Sequence, residues 1–335
     1  MPNMTIKDIA RLSGCSVSTI SRVINDRPDV RPETKEKVLQ MMRESGFVPN
    51  TNARQLKIQQ SRSLVFVVKG TRNLFFSDFL VQLPRAATLY GYSGIVSYLD
   101  ENANEIDAAQ KILREIKPKG MIFLGGSVAN FQQGFANITV PSVLTTLVSD
   151  ELDFPNLSMV GVDDRAAAHT AVSHLIAQGH RKIAVLGGPA TSYPSRMRRL
   201  GAQDAMEDAG LTFDDRLYGL SNYDFESAYH AVNSLLARRA EFTALFAMSD
   251  VIAFGAIRAL VSAGFRVPED VSVIGFDGIT MSRYCVPVMT TIVQPSEQIA
   301  LQSIELLVRQ IEHGAPAQKI TLQPELQVGE SVRAV

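Results

Sequence analysis

A chain of 335 residues with 46% hydrophobic content and a formal net charge of -1 has room for one small module plus a large domain, or for two medium ones. The near-neutral total conceals an imbalance, because residues 1–62 hold 11 Lys and Arg against 6 Asp and Glu, which is +5 and leaves -6 for the remainder. Two cysteines, Cys15 and Cys285, exclude a disulfide framework and stand in no metal-ligand spacing, no apolar run approaches the ~18 residues of a membrane span, and the N-terminus lacks a signal-peptide core. The expectation is a protein of the reducing cytoplasm whose basic head meets a polyanion.

Thr5 followed by Asp8 makes a capping-box start, after which Ile6, Ile9, Ala10 and Leu12 supply a narrow apolar helical face that ends at Ser13-Gly14. Ser16 caps a second helix, VSTISRVI, with Val17, Ile20, Val23 and Ile24 directed inward and Ser18, Thr19 and Arg22 free to point elsewhere. A third helix follows Arg31, with Pro32 at its first position, Val38, Leu39 and Met42 as its stripe and Gly46 past its end. Two short helices joined by a tight glycine turn are the helix-turn-helix signature, and the second would enter a major groove, where Arg22 can pair bidentately with guanine. A small helical bundle with a solvated basic face would show the same helix pattern. The charge imbalance and the next segment favour the DNA-reading alternative.

That segment is Pro49 to Lys57, PNTNARQLK. Pro49 pushes its predecessor towards an extended conformation, Asn50 can cap a helix, and Ala53, Arg54, Gln55, Leu56 and Lys57 are good helix formers. An isolated helix of fewer than ~12 residues is marginal in water, so this one would form only with support from outside itself. A plain polar linker is the alternative.

From Ser63 onward ten short apolar runs (SLVFVV, GIVSYL, GMIFLG, SVLTT, SMVGV, KIAVLG, RLYGL, ALFAM, VSVIGF and TTIVQ) alternate with helical stretches. They predict parallel sheets built from βαβ units, two of about five strands rather than one of ten. Ligands of such sheets bind beyond the carboxyl ends of the strands. Those ends carry carboxylates, amides, hydroxyls, an arginine and aromatic rings, a set suited to a neutral polyhydroxylated ligand. No nucleophile with a base is apparent, and LGGPATS lacks the phosphate-loop and dinucleotide spacings, so neither an enzyme nor a nucleotide cofactor is expected. The five histidines lie without metal spacing, and His180 reads as a structural cap. From the residues alone Phe75 and Phe76 read equally as core or cleft, Asp277 as a ligand or a cap, Arg198 as a ligand or part of a solvated helix face, and Asp250 as structural.

The runs TIKDIARLSGCSVSTISRVIN and VRPETKEKVLQMMRESGFVPNTNAR resemble the headpiece and hinge of the lactose-repressor/galactose-repressor (LacI/GalR) family of bacterial transcription regulators, and LIAQGHRKIAVLGGP, FAMSDVIAFGAIRAL, VPEDVSVIGFDG and MTTIVQP resemble its core. The resemblance covers essentially the whole chain. It implies an all-α helix-turn-helix headpiece (1–48), a hinge helix and linker (49–61), and an α/β core of two Rossmann-like parallel-sheet subdomains with the periplasmic-binding-protein fold (62–335). The N-subdomain would take about 62–162 and 294–323, the C-subdomain about 163–293 and 324–335.

It further implies that Thr5, Ser16, Val17, Ser18, Thr19, Arg22 and Asn25 of the headpiece, and Asn50, Ala53, Arg54, Leu56 and Lys57 of the hinge, meet DNA, with Val17, Ser18 and Arg22 at base-reading positions and Leu56 wedged into the minor groove. In the core it implies effector contacts by Asn73, Phe75, Phe76, Thr146, Ser192, Arg198, Phe225, Ser249, Asp277 and Gln294, with Arg198 and Asp277 as the clamp and Phe225 stacking on the ligand. Ser249 stands where many relatives have asparagine, and Thr146 where some sugar binders have aspartate. The partners expected are a palindromic double-stranded operator, a small effector of the sugar class and a second copy of the chain. A phosphocarrier protein as co-effector is the alternative, and a free sugar-binding protein a more distant one. Because the sequence ends at GESVRAV without an apolar heptad, a dimer and no tetramer is expected. On this reading Arg198→Ala should silence the effector response and leave the fold standing.

Overall fold

The computed structural model describes residues 4–24, 27, 29–47, 62–70, 74–189 and 191–335. Asn25, Asn50, Ala53, Arg54, Leu56, Lys57 and Asn73 lie outside the described residues, as does the hinge segment to which five of them belong. The chain divides into two compact units, Met1–Gln59 and Gln60–Val335.

Among its described residues the first unit holds three helices, α1 (Ile6–Ser13), α2 (Val17–Ile24) and α3 (Pro32–Glu44). The expected capping box forms: the Asp8 amide donates to Thr5 Oγ1 at 3.4 Å and the Thr5 amide to Asp8 Oδ2 at 3.0 Å. Gly14, at φ 67°, closes α1 in the left-handed conformation that a side chain would strain. Ile9, Ala10, Ile20, Val23, Val38 and Met42 make the core of this unit. Leu12, Val17 and Leu39, expected to face inward, are 48%, 42% and 37% exposed. The buried line of α1 runs Ile9, Ala10, Ser13, which leaves Leu12 on its flank, and Val17 opens α2 ahead of the turn covered by Ile20 and Val23.

The second unit contains two six-stranded sheets. In chain order its strands and helices are β1 (Ser63–Lys69), α4 (Phe76–Leu89), β2 (Ser93–Leu99), α5 (Glu105–Glu115), β3 (Gly120–Leu124), α6 (Val128–Gly134), β4 (Ser142–Thr145), β5 (Leu157–Val162), α7 (Asp164–Ala177), β6 (Ile183–Gly187), α8 (Tyr193–Asp208), β7 (Tyr218–Leu220), α9 (Phe225–Ala237), β8 (Ala244–Ala247), α10 (Asp250–Ser262), β9 (Ser272–Asp277), β10 (Thr290–Val293), α11 (Ser296–His313), β11 (Lys319–Leu322) and β12 (Glu325–Gln327).

One sheet has the order β11-β5-β4-β3-β1-β2 and is parallel throughout; the other runs β12-β10-β9-β8-β6-β7, antiparallel only at β12. All ten predicted strands are present. The sixth strand of each sheet, β11 and β12, is the correction. Both are short edge strands, and their partly exposed residues form no apolar run for a sequence reading to find. The central strand β1 shows why the long runs are legible: Leu64, Phe66 and Val68 pack on one face of the sheet and Val65 and Val67 on the other, so every residue must be apolar.

The chain crosses between the sheets three times, after β5, after β10 and between β11 and β12. Helix α11 returns to pack on the first sheet. No described helix is long and apolar enough to cross a membrane, and no group of three or more His, Cys, Asp or Glu side chains among the described residues is placed to hold a metal ion.

Candidate functional site

The carboxyl ends of both sheets open onto a cavity of about 170 Å³. Phe75 and Phe76 after β1, Thr146 after β4, Ser192 after β6, Arg198 on α8, Asp277 at the end of β9 and Gln294 after β10 all line it. Seven of the ten sequence-predicted effector residues thus converge, and the ambiguity over the two phenylalanines disappears because both face the cavity while packing on the core. Asn73 lies outside the described residues. Phe225 and Ser249 are absent from the lining. Ser249 is fully buried as the N-cap of α10, its hydroxyl accepting from the Ile252 amide at 3.1 Å, so the short side chain is consumed by the helix. Phe225 begins α9, is 43% exposed and lies against Phe254, ring centroids 6.4 Å apart.

Arg198 organises the site. Its Nε donates to Asp164 Oδ1 at 2.7 Å, its Nη1 donates to the Met248 carbonyl and lies 3.5 Å from Asp277 Oδ1, and its guanidinium sits 3.6 Å over the Phe276 ring. Burial opposes the charge on Arg198, but Asp164 and Asp277 outweigh that and hold its pKa above the ordinary value. Burial raises Asp164 too, against the pull of Arg198. Asp277 is pushed up to about 7 by burial, with Arg198 and the Gln294 amide acting against the shift. Gln294 Nε2 donates to Asp277 Oδ1 at 2.8 Å, while its buried Oε1 has no hydrogen-bond partner.

The backbone is strained at the same place. Of five non-glycine residues with positive φ among the described residues, Thr146 (74°), Tyr223 (57°) and Asp277 (111°) line this cavity. Such conformations cost about 1–3 kcal/mol each and persist where the surrounding structure enforces them.

The strand-end rule missed Lys69, Glu101 and Tyr223, which also line the cavity. Glu101 stands two residues after the end of β2 and Tyr223 three after the end of β7. The Tyr223 hydroxyl and Ser195 Oγ are 2.6 Å apart, and the ring lies so close to Gly188 that a Cβ there would stand 2.1 Å from it. Lys69 Nζ pairs with the buried Glu105 carboxylate at 2.7 Å, and Glu105 also accepts from the Ser127 amide and from Asn130 Nδ2. Each cation of the cavity therefore already faces a carboxylate, which leaves no uncompensated positive charge for an anionic ligand.

Asp250, read from sequence as structural, lies behind the site. Its Oδ1 accepts from the Thr291 hydroxyl at 2.6 Å and its Oδ2 from the Ile279 amide at 2.8 Å. Burial first, and then the charge of Asp277, push it up to about 8. A carboxyl whose folded pKa exceeds its unfolded value of 3.8 gives a native state that binds the extra proton, so its contribution to stability falls as pH rises through the window between 3.8 and about 8. Asp250→Asn keeps an acceptor for Ile279 and removes this titration. Urea unfolding should show a shallower loss of stability between about pH 6 and pH 8 for the variant than for the wild type; equal slopes would assign the titration to another group.

His180 is likewise structural, its ring nitrogens lying 2.9 Å from Thr243 Oγ1 and 3.1 Å from the Arg333 carbonyl.

In the first unit, Ser16, Val17, Ser18 and Arg22 are exposed on or beside α2. The Ser16 hydroxyl caps the helix through the Thr19 amide at 3.1 Å, the Thr5 hydroxyl is held by Asp8 at 2.6 Å, and Arg22 lies 3.7 Å from Asp29 in an exposed ion pair worth little in water.

Comparison with known proteins gives two family matches: residues 5–50 match the bacterial regulatory proteins, lacI family, and residues 172–332 the periplasmic binding protein-like domain. The chain is 37% identical to the HTH-type transcriptional regulator MalR of Clostridium butyricum over 326 residues, which is 96% of this chain and 97% of that protein. It is 30% identical to the HTH-type transcriptional repressor PurR of Haemophilus influenzae (strain PittEE), over 99% of each. Among solved structures, the lac repressor dimer bound to operator and the anti-inducer ONPF superimposes with a TM-score of 0.80 at 25% identity, covering 99% of this chain and 100% of that one. The transcriptional regulator CelR-cellobiose complex does so with a TM-score of 0.74 at 27% identity, covering 98% and 100%.

Proposed function

Because this chain belongs to the lacI family of bacterial regulatory proteins, we propose that it acts as a homodimeric repressor of a palindromic operator and that its effector is a neutral polyhydroxylated compound of the sugar class. It is a DNA-binding transcription regulator, not an enzyme, and its operator affinity answers to a ligand of the core.

The observation that carries the effector reading is the pairing of Asp277 with Gln294. The Asp277 carboxylate is an acceptor, and the orphaned Gln294 Oε1 beside it is a second buried acceptor without a donor. The hydroxyls of a sugar supply donors for both acceptors, and an unmet buried acceptor costs about 1–3 kcal/mol that such a ligand would recover. The flanking Phe75 and Phe76 suit the apolar faces of a pyranose ring. The CelR structure is of a cellobiose complex, which agrees with this class.

The dimer is supported by large apolar side chains left in water: Val81, Leu89 and Tyr98 around the first sheet, and Met281, Tyr284 and Val286 on the loop before β10. Tyr284 and Val286 are 81% and 94% exposed. Exposed apolar side chains gather on such a loop when a partner covers them, and two-fold symmetry doubles the half-sites read.

Two measurements test the reading. Titration of operator DNA with the chain, in the presence of a panel of monosaccharides and disaccharides, should reveal a sugar that changes operator affinity; if none does and a phosphocarrier protein does, the co-effector alternative holds. Leu56→Ala should weaken specific operator binding by roughly tenfold or more, as expected if a wedge offsets a few kcal/mol of unstacking, and leave the effector-induced thermal shift intact. Equal operator affinity in the variant would refute the wedge.

A further inference from the structure

A second cavity, of about 470 Å³, lies at the opposite end of the second sheet from the cleft. Arg181 and Lys182 enter it just before β6, and Ala240 and Glu241 just before β8, so it sits at the amino ends of strands whose carboxyl ends form the effector site. Five cations line it, namely Arg181, Lys182, Arg216, Arg238 and Arg239, against two carboxylates, Asp214 and Glu241. Both carboxylates are engaged: Asp214 takes Arg216 through Nε at 3.0 Å and Nη2 at 2.8 Å, and Glu241 takes Lys182 at 2.7 Å. Arg181, Arg238 and Arg239 form no ion pair with either carboxylate.

Two of these three guanidiniums are held from behind. Arg181 Nη1 donates to the carbonyls of Ile176 and His180 at 3.1 and 3.2 Å, and Arg238 Nε to that of Ser234 at 3.1 Å. Ile176 and Ser234 belong to the last turns of α7 and α9. Helix ends of this polarity attract cations, which is the simplest explanation for arginines here, but each supplies only about half a negative charge. Two ends offset about one of three positive charges and leave an excess of about two on an otherwise acidic body. Arg239, at φ 55°, closes α9 in the left-handed conformation usual for the residue after a helix C-cap, its amide donating to the Leu236 carbonyl at 2.9 Å.

We propose that this cavity is a second ligand site, for a compact dianion: inorganic phosphate or the phosphate group of a small phosphomonoester. A dianion matches the excess charge, and Arg181 and Arg238, exposed but each held through one nitrogen, keep further N–H groups for charge-assisted hydrogen bonds.

The test is calorimetric titration of the full chain with inorganic phosphate, and separately with glycerol 3-phosphate, at ionic strength held constant with chloride. The wild type should bind saturably in excess of any effect of chloride. Arg238→Gln combined with Arg239→Gly, the latter suited to the left-handed backbone, should weaken binding by about tenfold or more, as loss of charge-assisted hydrogen bonds requires, with the melting temperature and the sugar response of the cleft unchanged. Should that variant melt early, Arg181→Gln gives the same reading. Tighter binding of glycerol 3-phosphate would identify a phosphomonoester, and equal or weaker binding the free ion. Absence of binding beyond chloride, or equal affinity in the variants because the basic head holds the anion, overturns the proposal without touching the cleft reading.

Discussion

Arg198→Ala should cost about 3–5 kcal/mol of stability as well as the effector response, because it leaves two buried carboxylates without their counter-charge. The sequence reading expected the fold to be untouched, on the view that Arg198 serves only the ligand. The structure buries its guanidinium between Asp164, Asp277, the Met248 carbonyl and the Phe276 ring, so that one side chain clamps the start of α7 to the end of β9. The deficit should depend on pH. Asp277 already stands at about 7 with the arginine present, and without it both carboxylates become harder to ionise. Groups with folded pKa values raised above their unfolded values destabilise progressively as pH rises, so urea unfolding should show a larger deficit at about pH 8 than at about pH 5.5. Asp277→Asn in the same chain should recover part of the loss. A variant with wild-type stability at both pH values would mean that Arg198 is no strut.

Ile20→Ala should abolish operator binding altogether. Among the described residues of the first unit, six make up the buried apolar core, and Ile20 is fully buried. Truncating a buried isoleucine to alanine costs about 2–5 kcal/mol, and a module this small rarely has more than about 3–5 kcal/mol to lose. The expected outcome is loss of helical signal equivalent to the headpiece, no operator shift in an electrophoretic assay, and an unaltered thermal response of the body to effector. Val17→Ala, on the same helix but 42% exposed, serves as the control and should alter operator preference while the headpiece stays folded. Operator binding by Ile20→Ala would show that contacts beyond the three-helix core hold the module together.

The central strands were legible because a parallel strand buried on both faces has no choice but a continuous apolar run, as β1, β3 and β5 show. β11 and β12 escaped notice because an edge strand keeps one side in water and its sequence looks like a loop. Within the site, Thr146, Asp277 and Gln294 sit at strand ends where the topology of any parallel sheet places ligands, so their positions followed from the order of elements alone. Asp164 did not. Beside the N-cap Asp163 it reads as one more acidic residue at a helix start, and only folding brings it 2.7 Å from an arginine 34 positions later.

By itself, the order of residues determined the helix-turn-helix with its caps, the ten principal strands and the division into a basic head and an acidic body, since each rests on local periodicity, capping chemistry or a count of charges. Tertiary structure alone decided which polar groups lose their water together: that Ser249 is spent on a helix cap, that Gln294 keeps an unmet acceptor, that Tyr223 enters the cleft over Gly188, and that Arg198 is as much strut as clamp. Desolvation and pairing are properties of side chains distant in sequence and adjacent in space, and they come into being only when the two sheets close their carboxyl ends around one cavity.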